Sequence, residues 1–150
     1  MPDIVIDLVD PADTGLLAHL YNQIFRPERS AEVLGQRYRG RNDVVILVAR
    51  IGNDSVGFYA GFELKPGVHF AWLCGVVPSF RRQGIGTQLM EAAEDWVKTH
   101  GYKVIRMECY NNHRHMLQFA IASGYDIVGI RWDADAGQNL IIFEHIFGAI

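Results

Sequence analysis

Between Val68 and Tyr110 the hydrophobic period changes twice, and this double change constrains the fold more than any other feature of the chain. Residues 68–77 (VHFAWLCGVV) read as a strand. Ile85, Leu89, Ala92 or Ala93, Trp96 and Val97 then form a helical stripe, with Glu91, Glu94, Asp95 and Lys98 opposite and Gly101 as the stop. Residues 103–110 (KVIRMECY) return to a strand pattern. A strand, helix, strand passage of this length suits a right-handed crossover between parallel neighbours. Upstream the pattern differs: residues 44–51 (VVILVARI), 56–64 (VGFYAGFEL) and 68–77 are joined by the short turns GNDS and KPG, which predicts an antiparallel meander. Both kinds of pairing in one chain require a mixed sheet.

The flanks extend that sheet. Residues 3–9 alternate as a half-buried strand, and a helix is predicted from about Pro11, with Leu16, Leu20 and Ile24 four apart. A short helix is predicted from Ser30 to Tyr38. Residues 111–124 (NNHRHMLQFAIASG) predict another, capped by an Asn and stopped at Gly124. Residues 125–133 (YDIVGIRWD) and 139–147 (NLIIFEHIF) predict two closing strands across the ADAGQ turn. With 150 residues and no repeat or linker, the expectation is one domain, 1–150, large enough to bury its own core. The fold class expected is α/β (α+β), a mixed, mostly antiparallel seven-stranded sheet with about four helices.

Composition narrows the partners. A formal net charge of −3 gives no basic field for nucleic acid. The longest apolar run, residues 70–78, is far below the ~20 residues of a membrane span, and the acids in MPDIVIDLVDP stand where a signal peptide carries bases. Cys74 and Cys109 have no disulfide or metal spacing. His113 and His115, two apart on a helix, do not share a face, so no metal is expected. These features predict a cytoplasmic protein with no membrane or nucleic-acid partner. Apolar residues 139–143 (NLIIF) offer a strand for a possible homodimer. Tyr59, Phe62, Phe70, Trp72 and Trp132 read as core, some of them available to wall a pocket.

The junction between the strand and the helix carries the chemistry. In VVPSFRRQGIGTQLM, residues 76–90, Gly84 and Gly86 fall in the first helical turn, where N–H groups lack partners and the dipole presents roughly +0.5 charge. Two glycines there also suit a tight turn alone. Arg81 and Arg82 beside them add fork-shaped donors, and the combination points to phosphate or pyrophosphate. A nucleotide-hydrolysing P-loop is excluded because no Gly-Lys-Ser or Gly-Lys-Thr occurs. A dinucleotide fingerprint is disfavoured: Leu89 holds its third glycine position, although Glu108 falls about where a ribose-binding acid would.

The same stretch resembles the acyl-CoA-binding signature of the GNAT acetyltransferase superfamily: Arg or Gln, two residues, Gly, one residue, then Gly or Ala. Arg81, Gly84 and Gly86 match it, and the element order is similar along nearly the whole chain. The resemblance implies a fourth and fifth strand that are parallel and splayed, with acetyl-CoA as cosubstrate in the gap. Arg81 or Arg82 through Gln83, Gly84, Ile85, Gly86 and Thr87 would hold the pyrophosphate. Gly75, Val76 and Val77 would lie along pantetheine, and a backbone N–H would polarise the thioester carbonyl. Asn111 or Asn112 would touch the pantetheine arm, or cap the helix that follows.

For catalysis the resemblance implies less. Members often carry a Tyr four residues before a Gly-Phe pair as acid for the departing thiolate. Here Gly124-Tyr125 stands for the pair and Ala120 for the Tyr. Tyr110, Cys109 and His113 are alternative donors, each with a plain structural reading as well. An amine with a pKa of ~10.4 must lose a proton before attack. Glu63 and His69, flanking the KPG turn, are the nearest candidates for that base; both also read as turn residues. The activity implied is N-acetylation of a primary amine on a small molecule or peptide. The alternative is a catalytically inactive acyl-CoA-binding sensor. Residues 26–43 carry five arginines (26, 29, 37, 39, 41) against three acids and, where the family shapes its acceptor site, favour an acceptor bearing carboxylate or phosphate.

Overall fold

The computed structural model describes residues 3–147. Its single sheet has seven strands, β1 (Ile4–Val9), β2 (Val45–Ile51), β3 (Asp54–Lys65), β4 (Val68–Val76), β5 (Val104–Tyr110), β6 (Asp126–Asp133) and β7 (Gln138–Ile146), in the spatial order β1-β2-β3-β4-β5-β7-β6. Every pairing is antiparallel except that of β4 with β5. The helices are α1 (Thr14–Ile24), α2 (Ala31–Tyr38), α3 (Ile85–Thr99) and α4 (Arg114–Ala122), with one 3-10 turn at Pro78–Phe80. Architecture and strand polarity match the sequence expectation.

Alternation along the strands sends side chains into two separate cores. On one face Val45, Leu47, Tyr59, Ile105, Met107 and Phe143 pack with Ile85, Leu89 and Val97 of α3 and Ala120 of α4. On the other, Ile46, Val48, Phe58, Phe62 and Phe70 pack with Leu17 and Leu20 of α1 and Leu34 of α2. Leu89 and Val97 are fully buried, as the helical stripe requires; each contributes roughly 1.5–3 kcal/mol.

Four local expectations change. The first helix begins at Thr14, not Pro11, because the Asp13 carboxylate accepts the Leu16 N–H at 3.2 Å and so fixes the cap. No Asn caps α4: its N-cap is His113, with no side-chain bond. The Asn111 N–H instead donates to Asn139 O (2.9 Å) and the Asn112 N–H to Gln138 Oε1 (3.1 Å), which prolongs the β5–β7 contact. Residues 139–143 lie in β7, paired on both sides by β5 and β6, so they have no free edge for a second copy. Trp132 is not core; it stands 61% exposed on the edge strand β6.

Candidate active site

β4 and β5 pair for only four residues, from Val68↔Val104 to Ala71↔Met107. The cause is visible on the other edge of β4. There the register with β3 steps from Gly61↔Ala71 to Ala60↔Leu73, leaving Trp72 as an extra residue. A bulge bends its strand and raises local twist, so beyond Trp72 β4 turns away from β5 and a notch opens. The Val77 N–H is committed to Val56 O at 2.8 Å. By alternation the peptide groups of Cys74 and Val76 then face the notch, and Val76 O accepts a hydrogen bond from Arg81 Nε at 3.2 Å. Of the strand residues expected along a pantetheine arm, Val76 thus presents its peptide groups to the gap, whereas the Val77 N–H is already taken. Gly75 is required for packing: a Cβ there would lie 2.8 Å from Ile24 and 3.0 Å from the Phe25 ring at the end of α1.

The notch runs into the N-terminus of α3. Gly84 is the N-cap, in the left-handed region with φ 77°, and no side chain caps the helix. Arg82 also has positive φ, 66°, a conformation that costs a non-glycine residue roughly 1–3 kcal/mol and is concentrated at functional sites. A Cβ on Gly84 would meet nothing within 4 Å, and one on Gly86 only Val76 at 3.8 Å. The free N–H groups of the first turn therefore look into open space, flanked by the exposed side chains of Arg81, Arg82, Gln83 and Thr87. Ile85 alone of the segment points into the core. Free donors, partial positive charge and two guanidiniums in a side-chain-free recess fit a pyrophosphate.

The sheet face opposite α3 carries the polar residues of β5. Ile105, Met107 and Cys109 belong to the α3-side core. By alternation Arg106, Glu108 and Tyr110 face the α1/α2 side. Glu108 is the first β5 residue past the last pair with β4, so its carboxylate stands at the start of the notch. Arg106 is held by Glu144, with Nη2 to Oε2 at 2.6 Å. The Tyr110 hydroxyl donates to Asp133 Oδ2 at 2.6 Å, a bond that raises the Tyr110 pKa and lowers that of Asp133. Asn111 and Asn112 follow at the mouth of the notch. A cavity of about 490 Å³ lies between α1, α2 and β4, with Tyr21, Arg29, Gln36, Arg37, Trp72 and Leu73 in its wall.

Glu63 and His69 are elsewhere. They oppose each other across the β3–β4 turn, at the end where β4 is still paired with β5. Six residues of strand separate His69 from Gly75, about 20 Å. His69 is fully buried beside the rings of Trp96 and Tyr102, and Nε2 bonds Asp43 O at 2.9 Å. That oxygen can only accept, so Nε2 carries the hydrogen and the buried Nδ1 has no partner. Burial lowers the His69 pKa, against the raising effect of Asp43 and Glu63. Glu63 accepts from Asn42 Nδ2 and from the Tyr102 hydroxyl, which also bonds Asp43. These residues brace the closed end of the sheet and do not reach the notch.

Sequence reasoning did not place Glu108 at the start of the notch. The available signal was the alternation in RMECY, which puts Arg106 and Glu108 opposite the apolar residues on one strand. Ala120, standing at the usual Tyr position, is fully buried in the α3-side core. Burial pushes the thiols of Cys74 and Cys109 up to about 12 and about 11, so neither is a thiolate near pH 7.

The acetyltransferase (GNAT) family pattern matches residues 15–125, most of the chain and the whole of the notch and its helix. The chain belongs to this family. Solved GNAT structures share its shape. The ribosomal-protein-S18-alanine N-acetyltransferase of Escherichia coli superposes with a TM-score of 0.84 at 15% identity, covering 99% of this chain and 96% of that one. Ard1 from Thermoplasma volcanium gives 0.82 at 18% identity, over 97% and 99%. A GNAT family acetyltransferase from Elizabethkingia anophelis with acetyl-CoA bound gives 0.78 at 19% identity, over 95% and 97%. At such identities the likeness is one of fold. No curated protein sequence matches the chain. Among the described residues, no helix of this GNAT chain is long and apolar enough to cross a membrane.

Proposed function

We propose that this GNAT protein is a cytoplasmic N-acetyltransferase, one domain over residues 1–150, that moves an acetyl group from acetyl-CoA to a primary amine of a small molecule or peptide by direct attack. The observation that carries this reading is the notch between β4 and β5 running into an α3 N-terminus whose left-handed Gly84 leaves its donors uncovered. Acetyl-CoA, when bound, supplies the activated acyl group. Arg81, Arg82, Gln83 and the N–H groups from Gly84 to Thr87 hold its pyrophosphate. Val76, beside Gly75, lends peptide groups to the pantetheine arm, with Asn111 or Asn112 at the mouth. An N–H of β4 beyond the bulge polarises the thioester carbonyl.

Glu108, rather than Glu63 or His69, takes a proton from the bound ammonium and so frees the amine to attack, because it is the carboxylate at the start of the notch on the face opposite α3. Holding amine and thioester together supplies much of the rate in any case. Direct attack agrees with the two cysteines being neutral thiols. The departing thiolate, with a conjugate-acid pKa of ~8.5, needs little acid help. Tyr110, at the end of β5, could give it a proton only by breaking its bond to Asp133 Oδ2, which raises the Tyr110 pKa and makes it a weaker acid.

The test is a thiol-release assay with acetyl-CoA and a broad amine panel, with the acetylated product confirmed by mass. Amine-dependent release is expected. A second reading, an acyl-CoA sensor without turnover, is favoured by the absence of a hydroxyl at Ala120. Tight acetyl-CoA binding with no release on any amine would replace the first reading by the second.

A further inference from the structure

We infer that the acceptor is an amine that also carries an anionic group, and that Arg37 is the residue that selects it. This rests on the acetyl-transfer reading above and names its substrate class. The cavity beside Leu73 holds two arginines, Arg29 and Arg37, and no acidic side chain. The Arg37 guanidinium lies over the Phe62 ring at 5.0 Å and within 5.9 Å of the centroids of Phe70 and Trp72. The rings hold the guanidinium by cation–π attraction, and among the described residues no ion pair takes up its N–H donors, which are left for a ligand. Arg41 sits over the same Phe62 ring at 4.9 Å, so two like charges share one aromatic platform. Burial first, then Arg41, lower the Arg37 pKa; Glu108 acts in the opposite direction. An anion in the cavity would relieve that crowding of positive charge.

Arg29 is set in place independently. Its N–H donates to Asn22 Oδ1 at 2.8 Å, its carbonyl accepts from Asn22 Nδ2 at 3.0 Å, and its Nε donates to the Tyr21 hydroxyl at 3.2 Å. Among the described residues, ion pairs join Arg50 to Asp7 and Arg106 to Glu144, and none joins Arg29, Arg37 or Arg41 to an acid. Glu108 is within electrostatic reach of Arg37, yet the two do not meet. A gap bounded by an unpaired carboxylate at the notch and an unpaired guanidinium in the cavity fits a ligand with the reverse polarity: ammonium toward Glu108, carboxylate or phosphate toward Arg37. A polyamine or polycationic sugar would set positive charge against Arg29, Arg37 and Arg41.

The experiment compares matched amines in the thiol-release assay: amino acids and dipeptides against their C-terminal amides, phosphoethanolamine against ethanolamine, and spermidine. The anionic member of a pair is expected to have a kcat/KM roughly 10- to 100-fold higher, the size of a charge-assisted hydrogen-bond pair. The carboxylate and phosphate arms tell the two anion sources apart. In Arg37→Gln the ratio within each pair should fall toward one, mostly through KM, and Arg37→Lys should restore part of it. The acetyl-CoA-induced thermal shift of each variant reports that it is folded with its CoA site intact. A preference for amides or spermidine, or an equal loss on both members in Arg37→Gln, would overturn the inference. If no amine is turned over, the same pairs are read by thermal shift with CoA present. Stabilisation by the anionic members that Arg37→Gln loses supports the anion site even as the enzyme reading fails, and stabilisation by none of them overturns it.

Discussion

The two ends of β4 put one strand to opposite uses. From Val68 to Ala71 it is paired on both edges and fully enclosed: His69 is buried, and Tyr102, Asp43 and Glu63 tie the neighbouring turn to the start of β5. From Trp72 onward the same strand keeps β3 but loses β5, and its free edge faces the notch. The difference comes from one extra residue. Were Trp72 accommodated in register, β5 would continue to pair and no ligand could reach the backbone. Titratable side chains at the closed end are therefore expected to act on stability, and those at the open end on chemistry. Changing members of each group in turn tests that division.

The largest effect is expected for Glu108→Gln. If this carboxylate takes the amine proton, kcat should fall about 10²- to 10⁴-fold, with the Kd for acetyl-CoA unchanged. The paired control is Glu63→Gln, at the closed end, which should keep kcat within about two-fold, as expected of a residue that touches no reacting group. Rate assays on both variants decide the matter, and a reversed pattern would return the base to the closed end.

Next is Gly84→Asp. A side chain at φ 77° is strained, and a carboxylate would occupy the open space before α3 where an anion is expected. Losing several charge-assisted donors and adding repulsion should weaken CoA binding by ~100-fold or more, abolishing the CoA-dependent rise in Tm. Gly84→Asn, which tolerates the left-handed region without the charge, should keep part of it. An undiminished shift in the Asp variant would remove the pyrophosphate from this helix.

Ala120→Tyr comes third. The usual Tyr position is here a fully buried alanine in the α3-side core. Adding a phenol ring to a packed site costs about 1–3 kcal/mol, measurable by chemical denaturation. A variant as stable as the parent would mean that α4 turns this position toward the notch and that an acid can be restored there.

Much of this division could be read before the structure. The change of period at Val77 and again at Lys103 gave the crossover, and Gly84 and Gly86 marked the anion end of α3, because local spacing and backbone freedom are written in neighbouring residues. Trp72 as a bulge was not legible, since the extra residue exists only relative to β3. Arg37 and Glu108 lie 71 positions apart in the chain, and only the fold, which sets the Arg37 guanidinium against Phe62, Phe70 and Trp72 of β3 and β4, brings their fields together. Glu63 and His69 show the converse. Their nearness to β4 in sequence was real, but parallel strands joined by a crossover begin side by side. The ends that diverge are those next to α3's first turn, not those next to the KPG turn.

The smallest effect belongs to the closed end, and its direction follows from burial. His69 has a folded-state pKa below the ordinary 6.5, chiefly because burial disfavours the imidazolium. Asp43 and Glu63 pull the other way, and His100, stacked on Trp96 at 3.7 Å, pushes in the same direction as burial. As pH falls through 6.5 the unfolded chain takes up its proton first, so it binds more protons than the native state and stability declines. The decline continues until the folded-state pKa is passed; above 6.5 both states are neutral and this histidine adds no slope. His69→Gln, which can still donate to Asp43 O but cannot titrate, should flatten the Tm-against-pH curve below pH 6.5 relative to the parent. It should leave the CoA-dependent shift in place, because His69 sits at the paired end of β4, about 20 Å of strand from Gly75. If the variant kept the parent's slope just below pH 6.5, His69 would not be its source; Asp133, whose pKa is lowered from 3.8, adds a slope only at lower pH, around and below that value. If it lost CoA binding as well, the two ends of β4 would be coupled through the strand, and the bulge at Trp72 would transmit strain rather than isolate it.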